Sequence, residues 1–130
     1  MNIPSDLKYT KTDEWVKVEG KTATIGISDY AQDQLSDVVF VEIPVDVGSK
    51  VAKGEIIATV ESVKAAADVN MPVSGKVIST NDNLPQTPET VNSDPYGKAW
   101  MIKVELENPV EVEALMSAND YDAYCKERSH

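Results

Sequence analysis

Apolar and polar residues alternate with a short period through the first four-fifths of the chain. From Tyr9 to Gly26 the strand-favouring residues Trp15, Val16 and Val18 precede a turn at Glu19-Gly20-Lys21, and Thr22, Thr24, Ile25 and Ile27 follow it; this pattern predicts a hairpin. Ser28 is placed to cap a short helix over Tyr30 to Leu35, with Asp33 near its N-terminal end. Further strands are predicted at Val38 to Val41, Glu55 to Glu61, Ala66 to Met71, Lys76 to Ser79 and Trp100 to Leu106. Turns at Val47-Gly48, Lys53-Gly54 and Pro72-Val73-Ser74-Gly75 separate several of them. Asn81 to Gly97 carries Pro85, Pro88 and Pro95 and reads as a long polar loop.

The period changes after Asn108-Pro109. Val112, Leu115 and Met116 fit one face of a short helix, and Ser117 is a cap for a second helix bearing Tyr121, Tyr124 and Cys125. A weak internal echo runs from Pro44-Val45 through Gly48 to Lys50-Val51 and from Pro72-Val73 through Gly75 to Lys76-Val77. Two related strand-turn-strand halves would then flank Lys64. Many short strands punctuated by Gly and Pro predict an antiparallel β sandwich or barrel. The expected organisation is one domain over residues 1–130, with a β body over about 7–106 and a helical tail over about 109–128.

Composition narrows the function. The chain of 130 residues is 42% hydrophobic and 26% charged, with a net charge of -10, which predicts a soluble protein with an acidic surface. Its 12 Lys and Arg are scattered, so the basic stripe that nucleic acid requires is missing. No apolar run approaches a membrane span, and Met1 to Ser5 lack a secretory pattern. Cys125 is the only cysteine and His130 the only histidine, which excludes an internal disulfide framework and a cysteine metal cluster and leaves histidine catalysis little to work with. A reducing compartment is expected, and no metal site is assigned.

The chemically informative stretch is Val60-Glu61-Ser62-Val63-Lys64-Ala65-Ala66-Ala67-Asp68-Val69. A tight hairpin here would carry Lys64 at its tip, with an exposed amine on a four-carbon stem open to a modifying enzyme. Spacing alone does not separate such a lysine from an ordinary surface lysine.

Glu61-Ser62-Val63-Lys64-Ala65 is similar to the lipoylation segment of glycine cleavage H proteins. Tyr9-Thr10-Lys11 with Glu14-Trp15-Val16, Ala23 through Gln32, and Leu35 resemble that family's opening. Val39 to Pro44, Pro72-Val73-Ser74-Gly75, Val91-Asn92, Asp94-Pro95-Tyr96-Gly97 and Trp100 to Lys103 resemble its later segments in order. Asp13 stands where the family usually has His, and Ser36 where Gly is common.

The resemblance implies a mainly β fold like the lipoyl/biotinyl domain, an antiparallel sandwich (hybrid barrel) with added short helices. It implies lipoic acid as a covalent amide on Lys64, with Glu61, Ser62, Val63 and Ala65 forming the recognised turn. The chain would be a non-catalytic carrier, accepting an aminomethyl group from the pyridoxal-phosphate glycine decarboxylase (P protein) and delivering it to the folate-dependent aminomethyltransferase (T protein). Dihydrolipoamide dehydrogenase (L protein) would reoxidise it, and a lipoate ligase or lipoyl/octanoyl transferase would load it. Glu14 and Asp68 are candidates for docking the loaded arm. A monomer is expected, cytoplasmic if bacterial and in the mitochondrial matrix if a mature eukaryotic chain.

Three alternatives stand beside this reading. A biotin carrier shares the fold, but that family typically has Met on both sides of its lysine, whereas Val63 and Ala65 flank this one. An H-like lipoyl donor for other complexes would carry the same motifs. A free-standing enzyme could be built on Asp13-Glu14, Glu42, Glu61 and Asp68, although in so acidic a chain these also read as a solvated surface.

Overall fold

The computed structural model describes residues 1–128, so His130 lies outside the described residues. Among the described residues nine strands form two antiparallel sheets: β1 (Lys8–Tyr9), β2 (Glu14–Glu19), β3 (Thr22–Ile27), β4 (Val38–Glu42), β5 (Lys50–Val51), β6 (Ile56–Ser62), β7 (Ala66–Asn70), β8 (Gly75–Thr80) and β9 (Ile102–Leu106). The larger sheet has the order β1-β2-β3-β9-β8-β5 and the smaller the order β4-β6-β7. The expected sandwich is present. The barrel is not: the strands divide between two sheets instead of closing one ring.

Alternation explains the packing. Ile102, Val104 and Leu106 of β9 face inward while Lys103 and Glu105 face out. Val16, Ile25, Val77 and Val104 of the large sheet meet Val38, Val41, Ile57, Val60 and Val69 of the small one in a single apolar cluster. Trp15 lies on the opposite side of β2 from Val16, against Gly26 on the neighbouring strand. A Cβ at Gly26 would come within 2.7 Å of the Trp15 indole nitrogen, so only glycine admits the ring there. The two Lys-Val strings of the internal echo are strand partners, Lys50 opposite Lys76 and Val51 opposite Gly75.

Helix α1 (Asp29–Leu35) starts where predicted, with the Ser28 hydroxyl accepting from the Ala31 amide at 3.2 Å. Helix α3 (Ala118–Arg128) is likewise preceded by Ser117, whose hydroxyl accepts from the Asp120 amide at 3.2 Å. It covers a second cluster of Leu7, Tyr9, Trp15, Tyr30, Tyr121 and Cys125. The Tyr9 and Tyr121 rings stack at 4.6 Å.

Three expectations need correction. The long loop folds locally, into a 3-10 turn at Leu84–Gln86 and the short helix α2 (Thr90–Ser93). The last strand begins at Ile102, because the Asn81 side-chain Nδ2 donates to the carbonyls of Lys98 and Trp100 and holds that approach as a loop. Finally, Leu115 and Met116 are not on a helical face. A second 3-10 turn, Pro109–Ala114, ends before them, and Met116 exchanges both backbone hydrogen bonds with Tyr9, each 2.9 Å. Satisfying the exposed edge of β1 outweighs one further turn of a short helix.

Ser36 ends α1 with φ 66° and ψ -149°, a conformation that strongly favours glycine. Ser36→Gly should therefore raise the unfolding free energy by about 1 kcal/mol. Urea titration of the two proteins checks this, and an unchanged or lower midpoint would count against backbone strain at Ser36.

Candidate functional site

The β6–β7 hairpin carries Lys64 at its tip. Ser62 fastens the turn: its hydroxyl accepts from the amides of Lys64 (3.3 Å) and Ala65 (3.0 Å) and donates to the Ala65 carbonyl (3.1 Å). The Ser62 amide also donates to that carbonyl at 2.7 Å, and the Val63 amide donates to Asp37 at 3.0 Å, tying the tip to the start of β4. A single serine side chain thus replaces the Gly or Asn that many tight turns use. Val63, Lys64 and Ala65 are all exposed. Among the described residues, the Lys64 ammonium makes no hydrogen bond or ion pair, so the backbone is fixed while the side chain is free.

Beside the hairpin a groove of about 160 Å³ opens between the two sheets. Ile27, Ala31, Leu35, Val60, Ala67 and Val69 give it apolar walls. The α1 contribution follows from helical spacing, since Ala31, Gln34 and Leu35 share one face. Thr12, Asp13 and Glu14 close its polar end.

Glu14 is only 1% exposed. Its Oε1 accepts from the hydroxyls of Thr10 (2.6 Å) and Thr12 (2.5 Å), and its Oε2 accepts from the Asn70 amide on β7 at 3.2 Å. Burial raises the carboxyl pKa above its ordinary value; the two hydroxyls and the Asn70 amide oppose that rise without cancelling it, and Asp13 adds to it. Asp68 is placed differently. It is exposed and stands opposite Thr59 on β6, while its neighbour Val69 is buried, so it meets the groove only at the rim.

Asp13 sits at φ 77° and anchors the far side of the site. Its carboxylate accepts from the Tyr121 hydroxyl at 2.7 Å and pairs with the Arg128 guanidinium. Ser28, whose oxygen already accepts from Ala31, completes the chain with a 2.6 Å contact to the Tyr121 hydroxyl. Arg128 lies 4.2 Å from the Tyr30 ring centre and 4.1 Å from that of Tyr124. The acid that departs from the resembled family's His therefore holds helix α3 against the turn that precedes Glu14.

Residues 7–128 match the family model described as Glycine cleavage H-protein. The chain belongs to that family. It is 50% identical over 126 residues to the Glycine cleavage system H protein of Symbiobacterium thermophilum, covering 97% of this chain and 98% of that one. It is 52% identical over 125 residues to the mitochondrial Glycine cleavage system H protein 2 of Arabidopsis thaliana, covering 96% of this chain and 80% of that one. The crystal structure of a glycine cleavage system H protein from Mycobacterium marinum superposes with a TM-score of 0.84 at 34% identity, over 93% of this chain and 97% of that one. The two open sheets and short helices are thus the architecture of an H protein.

The sequence offers Lys64, its turn, Glu14 and Asp68 as candidates; the structure places Glu14 inside the groove and Asp68 at its rim. The sequence did not identify Thr10 and Thr12 as donors to Glu14, or the Ala31-Gln34-Leu35 face as a wall. The available signal was two hydroxyl residues within four positions of the acid; their convergence on it comes from the turn between β1 and β2, where the Asp13 amide donates to the Thr10 carbonyl at 3.2 Å.

Two expected outcomes follow. Because the folded-state pKa of Glu14 is raised, the stability linked to its proton is fully present below the unfolded pKa and is lost as pH rises through the folded one. The stability of wild type relative to Glu14→Gln should therefore fall as pH rises from the ordinary glutamate range through that window. Urea unfolding across a pH series checks it, and a difference that grows with pH would reverse the sign. For the Asp13–Arg128 pair, with side chains 19% and 26% exposed, a double-mutant cycle with Asp13→Ala and Arg128→Ala should give a coupling of about 1–2 kcal/mol. Additive single-mutant losses would show that the pair does not latch α3.

Proposed function

We propose that this chain is the lipoyl-bearing carrier of the glycine cleavage system, with the lipoyl group attached as an amide to Lys64 and all of residues 1–130 serving as one carrier domain. One observation carries the reading: an unpartnered, exposed lysine on a hydroxyl-stapled hairpin stands beside an apolar groove that ends in a buried carboxyl. The site fits the group. From Lys64 to Asp68 along β7 is ~13 Å at strand rise, a span that a lysine stem lengthened by a medium-chain acyl group matches. When bound, the lipoyl group supplies a redox-active disulfide.

Everything else is the work of the chain. Lys64 gives a flexible stem, and Ser62, with Glu61, Val63 and Ala65 around it, keeps the stem's origin fixed. Ile27, Leu35 and Val60 exclude water from whatever enters the groove. Glu14 is the inner docking residue. An incoming ammonium group would favour its ionised form and so oppose the effect of burial on its proton affinity. Asp68 meets the arm at the rim.

Substrate activation belongs to partners: the glycine decarboxylase that donates the aminomethyl group, the aminomethyltransferase that receives it, the dihydrolipoamide dehydrogenase that restores the disulfide, and the ligase or transferase that loads Lys64. The compartment assigned is the bacterial cytoplasm or the mitochondrial matrix. Bacterial and mitochondrial relatives support both assignments, and no helix among the described residues is long and apolar enough to cross a membrane.

The test is Lys64→Arg, which keeps the charge but cannot form the amide. Protein co-expressed with a lipoate ligase should gain one lipoyl mass in wild type and none in the variant, while stability changes by less than about 0.5 kcal/mol. Intact mass spectrometry reads the first quantity and urea unfolding the second; lipoylation of the variant would exclude Lys64 as the attachment point.

A further inference from the structure

The outer face of the small sheet carries an apolar patch that the carrier reading leaves unused. β4 runs beside the hairpin, with Val38 opposite Ser62 and Phe40 opposite Glu61. Between those two rungs the register shifts, leaving Val39 as the extra residue of a β-bulge. Regular alternation would turn one of two consecutive residues inward. Here both face solvent, Val39 55% and Phe40 43% exposed, and Val63 at the hairpin tip is 68% exposed. The Val63 amide bonded to Asp37 makes patch and tip one rigid unit.

We propose that this face, centred on Val39, Phe40 and Val63, is the docking surface for the enzyme that acylates Lys64. The inference rests on Lys64 as the attachment residue. Other exposed large apolar residues lie apart, Val18 and Ile78 on the large sheet, Val110 in the turn after β9 and Ile56 at the far end of β6, whereas Phe40 pairs with Glu61, Val39 is the bulge residue beside it and Val63 follows Ser62 at the hairpin tip. Charge defines the partner's chemistry. Asp37, Glu42 and Glu61 are exposed around the patch, and β4, β6 and β7 contain no Lys or Arg. The complementary surface is therefore an apolar pocket with a basic rim.

Reach selects the acylating enzyme over those that act on the loaded arm. In acylation, the deprotonated Lys64 amine attacks the carbonyl carbon of an activated acyl donor, an acyl adenylate or thioester. The C–N bond forms, the bond to the adenylate or thiolate breaks, and the nitrogen gives up a proton. That active site must close over the hairpin itself. A specific interface covers roughly 800 Å² per partner, far more than a three-residue tip presents, so contact must spread onto adjoining surface. Enzymes acting on the arm's far end meet it at arm's length from β4.

The experiment compares the unmodified wild-type chain with Val39→Thr/Phe40→Thr as substrates of a purified lipoate ligase supplied with lipoic acid and ATP. Threonine keeps strand preference while removing the apolar contact. KM for the protein should rise by about tenfold or more with kcat within about twofold, the pattern of lost binding alone. Glu61→Lys should raise KM again. Once fully lipoylated, the double variant should be turned over by dihydrolipoamide dehydrogenase at the wild-type rate. If the pair unfolds, Phe40→Thr alone serves, with the melting curve as control.

Unchanged KM would overturn the proposal. So would parallel losses with ligase and dehydrogenase, which would make the patch a general contact. A wild-type dimer in sedimentation equilibrium that Phe40→Thr dissolves would overturn it too, by making a second copy the occupant. Acylation persisting in Lys64→Arg would instead remove the attachment assignment on which the inference rests, and that control separates the two failures.

Discussion

The carboxyl group of Glu14 sits where two segments distant in sequence meet, the turn that leads into β2 and the end of β7, and it ties one sheet to the other. It belongs to the large sheet through β2, takes two hydroxyl hydrogen bonds from the turn at Thr10 to Thr12, and accepts the amide of Asn70 from the small sheet. A buried carboxyl is costly to desolvate, and three donors offset that cost. The arrangement also resolves a problem of architecture. β7 is an edge strand, and an edge amide facing a groove would otherwise lack a partner. The opposite edge is treated in the same way: the Asn92 side chain accepts from the Val38 amide at 2.9 Å and donates to Gln32 and Ser36. Two polar side chains from outside the small sheet thus hold its two edges, and the groove lies between one of those edges and α1.

The molecule separates what must be rigid from what must move. The turn before Glu14 is braced by Asp13, which carries a left-handed backbone and ties to Tyr121 and Arg128 of α3. Stacking of Tyr9 on Tyr121 and the flanking of Arg128 by Tyr30 and Tyr124 seat that helix with aromatic area more than with apolar volume. At the other end of the groove the hairpin backbone is equally fixed, by Ser62 and by the bond from Val63 to Asp37. Among the described residues the Lys64 ammonium makes no hydrogen bond or ion pair. A carrier whose proposed arm must both dock and reach other enzymes needs that division, because a mobile attachment point would blur the one distance that docking depends on.

Much of the fold was legible because its signals are local. The strand-favouring run of β6, the Ser28 and Ser117 caps, and the turn at Gly20 each depend on neighbouring residues, and each lies within a residue or so of where the pattern put it. The signals failed where a distant segment supplied the missing hydrogen bonds: Met116 paired with Tyr9, and Asn81 holding the carbonyls of Lys98 and Trp100. A propensity argument weighs a short helix against solvent. It does not weigh it against an open strand edge more than a hundred residues away.

The site divides along the same line. By itself the sequence determined the β character of the body, the hairpin that presents Lys64 and, through ordered motifs over nearly the whole chain, the family. These follow from backbone preference and side-chain period, which are properties of contiguous residues. Glu14 and Asp68 looked alike as acids near a candidate groove, and only the tertiary structure separated them. The register of β7 on β6 sets Asp68 opposite Thr59 at the rim, while β2 carries Glu14 under two threonine hydroxyls and against the Asn70 amide. Burial, and with it the proton affinity of a carboxyl, is set by what surrounds the group in space, and those surroundings come from parts of the chain that sequence spacing does not relate.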